Sequence, residues 1–189
     1  MDWSKRQKEI IEAAISLIAK SGIEGLTTKA LAAAVGISEP ALYRHFSNKA
    51  EIVQAVIGCF DDDVENLKNT QRGWQFIKAF FAHRIEQVKN EPALANMIYS
   101  EELFIHNSDY AGLLKEMMHK HRNIIMENVV FAINTGIIRN DIAPEMIFRM
   151  LAGSLRLLIK QYGMSGNAFD LCTESTILFN TWDMLFKVK

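Results

Sequence analysis

Apolar residues recur along this chain at intervals of three and four, and no stretch of useful length alternates apolar with polar. The first pattern is the helical period of about 3.6 residues. The absence of the second, and of turn dipeptides between short apolar runs, argues against strands. Pro40, Pro92 and Pro144 each stand where a helical period begins. Proline is tolerated in a first helical turn, because the amide hydrogen it lacks would have no partner there. The expected fold class is all-α.

Local signals divide the N-terminal part finely. A first helix is expected from Ser4 to Ser21, with Ile10, Ala14, Leu17 and Ile18 on one face and Gly22 as a left-handed end. Thr27 can cap a second helix to Ala34 that stops at Gly36, and Ser38 a third through about Phe46. Asn48, with Glu51 three residues later, resembles a capping box and opens a fourth helix toward Leu67. Two short helices joined by Val35-Gly36-Ile37, with longer helices on either side, form the pattern of a helix-turn-helix. Further helices are expected over about 72–89, from Pro92, and over about 110–134, 144–162 and 169–187. The domain boundary is expected inside or just after the fourth helix, giving regions 1–57 and 58–189.

Composition narrows the function classes. The chain of 189 residues is 49% apolar and 23% charged, which suits a globular protein and excludes a disordered or fibrous one. Cys59 and Cys172 are its two cysteines, too few and too far apart for a disulfide framework or a cysteine zinc site. The opening MDWSKRQKEI is charged where a secretory leader needs an apolar run. No stretch approaches the ~18 uninterrupted apolar residues of a membrane span. The expectation is a soluble, cytoplasmic protein with no membrane partner. Net charge is −1, so DNA binding cannot rest on bulk positive charge. Residues 1–57 hold seven Lys and Arg against six Asp and Glu, a margin of only +1.

The segment from Leu26 to Ile52, LTTKALAAAVGISEPALYRHFSNKAEI, carries the strongest chemical signal. A helix entering the major groove needs small residues toward base edges and donors at its flanks for phosphates. In the third helix Ser38, Glu39, Pro40 and Ala41 lead, Tyr43, Arg44 and His45 follow, and Leu42 and Phe46 can anchor its inner side. Thr27 and Thr28 open the preceding helix, where free amides and hydroxyls favour an anion, and Lys49 opens the next.

This segment resembles the DNA-binding domain of TetR-family transcriptional regulators over roughly residues 5–57. The matching residues are Ile11, Ala13, Ala14, Leu17, Gly22, Gly25, Thr27-Thr28, Leu31-Ala32, Val35-Gly36-Ile37-Ser38, Leu42-Tyr43, His45-Phe46 and Lys49. A weaker echo runs from Gly136-Ile137-Ile138-Arg139 to Pro144-Glu145. The resemblance implies a homodimeric regulator, most often a repressor, that places the third helix of each subunit in the major groove of a pseudo-palindromic operator. It implies that Tyr43, His45 and Lys49 grip phosphates together with Thr28, and that Ala41 and Arg44, with Glu39 and Pro40, lie near bases. Region 1–57 would then be the helix-turn-helix domain, and region 58–189 a helical domain for effector binding and dimerisation.

The second region carries softer signals. Its last two helices are apolar over more than one face, whereas a surface helix needs one stripe of about 100° to seal its own core. A four-helix dimer interface is therefore expected, with Phe148, Leu151, Leu155, Leu158, Leu178, Trp182 and Leu185 across it. Aromatic and methionine residues between Trp74 and Phe131 could line an apolar effector pocket. The candidates are Trp74, Phe81, Met97, Phe104, Met117 and Met118, with Arg84 as a polar end. No resident cofactor or metal is expected: Glu116 and His119 share a helix face, but a di-iron bundle needs that pair on two helices and further glutamates. Asp61-Asp62-Asp63 point about 100° apart on a helix and cannot all face one ion. No phosphate loop, nucleophile elbow or HExxH appears, so an enzyme is not expected. A helical metal- or ligand-binding protein or enzyme, or a DNA-binding adaptor without an effector, stays open as an alternative.

Overall fold

The computed structural model describes residues 3–59, 64–92 and 108–188. Among them nine helices are assigned: α1 (Lys5–Gly25), α2 (Thr28–Val35), α3 (Glu39–Leu42), α4 (Lys49–Gly58), α5 (Val64–Thr70), α6 (Gly73–Asn90), α7 (Ser108–Asn134), α8 (Pro144–Met164) and α9 (Leu171–Phe186). The one strand-like feature described is an isolated antiparallel bridge between Ile138 and Lys187. No described helix is long and apolar enough to cross a membrane. The chain divides into two compact units, residues 1–62 with 96–117, and residues 63–95 with 118–189.

In the first unit α1, α2, α3 and α4 each start on a residue whose side chain satisfies an orphan amide. Ser4 and Gln7 form a reciprocal capping box at α1. The hydroxyl of Thr27 accepts from Ala30 N–H at 3.1 Å, that of Ser38 from Ala41 N–H at 3.3 Å, and Asn48 Oδ1 from Glu51 N–H at 2.9 Å. The Glu51 carboxylate reaches back to the N–H of Ser47, one residue before the cap, so the expected box closes one position early. Gly36 ends α2 with φ 72° and ψ 35°, a left-handed conformation that costs other residues energy and glycine none. Ile10, Ile11, Ala14, Ile15, Leu31, Ala32, Leu42 and Phe46 are among the side chains buried in this unit.

Three boundaries differ from expectation. Gly22 has φ 68° but ψ −179°, so it breaks α1 without being a left-handed cap, and helical turns resume through Gly25. Regular helix in α3 ends at Leu42, and the chain reaches Phe46 through tight turns, with Arg44 N–H on Ala41 O and His45 N–H on Leu42 O. The expected fourth helix corresponds to α4 and α5, with residues 60–63, Asp61 to Asp63 included, outside the described residues.

In the second unit α6 packs against α5, α8 and α9. It buries Trp74, Phe76, Ile77, Phe80, Phe81, Arg84, Ile85 and Val88, a set too broad for one stripe. Gln75, Ala82, Glu86 and Lys89 are exposed along the other side of α6, which is therefore amphipathic with a wide inner face. By contrast α8 is two-sided. Ile147, Leu151, Leu155 and Ile159, each four apart, face inward, while Met146, Met150, Gly153, Leu157 and Met164 are exposed on the opposite side. On α9, Leu171, Ser175, Trp182 and Phe186 are buried, and Ile177, Met184 and Leu185 are exposed.

This arrangement corrects part of the expected interface. Leu151, Leu155 and Trp182 are 0%, 1% and 2% exposed within the single chain, so they have no area to offer a second copy. Trp182 also donates its indole N–H to Ser154 Oγ at 3.1 Å, which satisfies its polar atom internally. Phe148, Leu158 and Leu178 are half-buried, and Leu185 is exposed.

Candidate nucleic-acid interface

The side chains expected to meet DNA are held by a small brace. Leu42 and Phe46 are buried at 0% and 1% exposure, and Trp3 lies against Phe46 with ring centroids 5.8 Å apart. Gln7 Nε2 donates to the carbonyl oxygen of His45 at 3.1 Å, tying α1 to the turns after α3. With the inner side fixed, Tyr43 and Arg44 stand exposed, Tyr43 at 46%, and His45 and Lys49 are half-buried. Ser38, Glu39 and Pro40 are exposed at the start of α3, and Ala41 is half-buried. The sequence-expected residues from Ser38 to Lys49 thus occupy one continuous turn–helix–turn segment.

Both threonines of α2 are engaged. The Thr27 hydroxyl oxygen is the α2 cap. The Thr28 hydroxyl donates to Glu39 Oε2 at 2.8 Å, linking the start of α2 to the start of α3. Nothing in the residue spacing signals that bond, which joins positions eleven apart in sequence.

The expected effector residues fare differently. Trp74 and Phe81 are core: the Trp74 indole N–H donates to Asp183 Oδ1 at 2.6 Å, and Phe81 meets Trp182 edge-on at 5.3 Å. Arg84 is buried, donating to Gln87 Oε1 at 2.7 Å, lying 3.3 Å from His121 Nε2 and stacking over Phe80 at 4.9 Å. Met117 is buried and Met118 is 43% exposed, while Met97 and Phe104 lie outside the described residues. Two open surface grooves, one along Gln75, Lys78, Ala82, Thr176 and Phe179, the other along Ile133, Arg139, Asp141, Met184 and Leu185, include none of these residues. Among the described residues no group of three or more His, Cys, Asp or Glu gathers as a metal site.

Beside the second groove, Arg139 Nε donates to Asp141 Oδ1 at 2.6 Å. That bond holds the Asp141 carboxyl below its ordinary range and raises the guanidinium. The pair is exposed and orders the turn after α7.

Comparison with known proteins agrees with this geometry. Residues 10–56 match bacterial regulatory proteins of the tetR family. The nucleoid occlusion factor SlmA of Haemophilus ducreyi is 29% identical over 56% of this chain and 55% of its own length, so the match spans about half of that relative. The HTH-type transcriptional repressor KstR2 of Rhodococcus jostii is 25% identical over 87% of this chain and 83% of its own. The fold is similar to that of the transcriptional regulator FadR from Bacillus subtilis in complex with stearoyl-CoA, at a TM-score of 0.77 and 19% identity over 93% of this chain and 96% of that one. On the helix-turn-helix and this match together, residues 10–56 form a DNA-binding domain similar to that of the tetR family of bacterial regulatory proteins.

Proposed function

We propose that this protein is a sequence-specific DNA-binding repressor that acts as a homodimer on a pseudo-palindromic operator and releases it when a small effector binds. It works in the cytoplasm by binding and not by catalysis. The observation that carries the reading is the exposed Tyr43–Arg44 pair, with His45 and Lys49 beside it, on a segment locked from behind by buried Leu42 and Phe46. A rigid mount with polar tips is what groove reading requires. Region 1–57 is the DNA-binding domain of this proposal, and region 58–189 serves effector binding and dimerisation.

The homodimer forms through the exposed apolar stripes of α8 and α9, Met146, Met150, Leu157, Ile177, Met184 and Leu185. Two-fold symmetry would pair each stripe with its own copy. The half-site spacing on one side of B-DNA is about 34 Å, and an effector acts by favouring a dimer with a different spacing. FadR is bound to stearoyl-CoA in its structure. An apolar chain with a polar head is therefore the first effector class to try, with Arg84 as the group meeting the head.

The test is selection of bound fragments from sheared genomic DNA at physiological salt. Enrichment of one inverted repeat is expected, and stearoyl-CoA is expected to reduce retention of that repeat. Failure to enrich any repeat would overturn the regulator reading. Within the interface, Lys49→Ala should weaken every sequence alike and lower the salt slope of log K by about one per subunit. Tyr43→Phe should weaken binding uniformly with the slope unchanged. Salt titration of both variants on operator and unrelated duplex checks this.

A further inference from the structure

The bond between Thr28 and Glu39 changes what each residue can do on DNA. A threonine hydroxyl has one proton to give. Here that proton goes to Glu39 Oε2 at 2.8 Å. While the bond lasts, the Thr28 hydroxyl has no proton for a phosphate, and the carboxylate beside it repels one. The family resemblance implies a phosphate-gripping Thr28, and here its hydroxyl is turned to Glu39 instead.

Glu39 stands at the first position of α3, exposed, with Oε2 held by Thr28 and Oε1 accepting nothing among the described residues. An ionised carboxylate only accepts hydrogen bonds. In the major groove guanine shows two acceptors, N7 and O6, and thymine shows O4 and a methyl group. A carboxylate facing either is left unpaired and repelled. Adenine mixes an acceptor with its amino group, whereas cytosine offers the N4 amino group alone. The free oxygen of Glu39 matches cytosine best.

We propose that Glu39 reads the amino edge of a cytosine in each half of the operator, and that Thr28 is a positioning residue that fixes its carboxylate. The inference rests on the repressor reading above and names the base at one point of its operator. Holding one carboxylate oxygen through a short neutral donor leaves the other aimed and less mobile, which preorganises the contact.

The test is selection from a randomised duplex library by the full-length protein and four variants. The wild type should enrich an inverted repeat with one cytosine per half-site preferred over guanine or thymine by roughly tenfold or more. Glu39→Ala and the near-isosteric Glu39→Gln should bind the same repeat with that preference lost. Thr28→Val should flatten the preference at that position while leaving the others, and Thr28→Ser, which keeps the hydroxyl, should restore it. Retention of the cytosine by both Glu39 variants would overturn the inference while leaving the repressor reading intact. Uniform weakening by Thr28→Val, with every base preference unchanged, would overturn the positioning role. No enriched repeat with the wild type would overturn the repressor reading and this inference with it.

Discussion

Leu157→Glu is expected to turn the dimer into a monomer at micromolar concentration and to lower operator affinity by roughly a thousandfold, about 4 kcal/mol. Leu157 is 56% exposed in the single chain and lies in the middle of the Met146, Met150, Gly153, Met164 stripe. Gly153 adds no side chain there, and nothing lies within 4 Å of the place its Cβ would take, so a second helix can approach closely. In a two-fold interface one substitution acts twice, and a buried unpaired carboxylate costs several kcal/mol at each copy. The chain's own core is untouched, because the inward row of α8 is Ile147, Leu151, Leu155 and Ile159. Helix content should therefore be unchanged while the sedimentation coefficient falls. A variant that stays dimeric would place the interface elsewhere on the chain. Leu151→Glu is no substitute as a test, since at 0% exposure it would unfold the unit and say nothing about association.

How much could be read beforehand differs between the two units, for a physical reason. Caps and glycine ends are local: Thr27, Gly36, Ser38 and Asn48 hold or end their helices through bonds to residues three or four away, and those are legible in sequence. Where α3 loses helical form is less local, because the His45 carbonyl is drawn to Gln7, thirty-eight positions earlier. The Thr28–Glu39 bond is of the same kind.

In α8 and α9 the apolar excess was legible but its direction was not. Two stripes on one helix satisfy the same periodicity, and only packing decides which faces in. A signal was present in residue type: the inner row of α8 is Ile and Leu, whose rotamers are well defined, while the outer row is largely Met, which adapts to irregular or shared surfaces. Trp182 could likewise have been placed inside had its need for an acceptor been weighed against Ser154, one row away on α8. Arg84 is legible in the sequence as a polar end, but not as a buried one. Its cover from Phe80 and its bond to Gln87 lie within α6, at i−4 and i+3, whereas its neighbour His121 depends on two helices meeting.

Trp74→Ala is expected to cost the fold about 3–5 kcal/mol, the range for emptying a buried aromatic site. Trp74 is 2% exposed, meets Phe186 edge-on at 5.9 Å, and ties α6 to the end of α9 through Asp183. The Asp183 carboxylate also takes Lys78 Nζ and Lys187 Nζ, both at 2.9 Å. Burial pushes this carboxyl upward, but the hydrogen bonds from Trp74, Lys78 and Lys187 together outweigh it, leaving it below its ordinary range. A carboxyl lowered in the folded state stabilises the fold above its unfolded pKa of about 3.9, and that contribution is lost as pH falls through the folded value. Trp74→Phe separates the two effects. It keeps most of the ring volume and removes one hydrogen bond, at about 1–2 kcal/mol near neutral pH. It also raises the folded pKa of Asp183 toward the ordinary value, so part of the deficit relative to wild type should shrink as pH is lowered toward 3. Urea denaturation of wild type and both variants across that range reads the loss at each pH. A Trp74→Phe deficit constant with pH would mean that the indole bond does not stabilise the ionised form, and that the two lysines hold Asp183 without it.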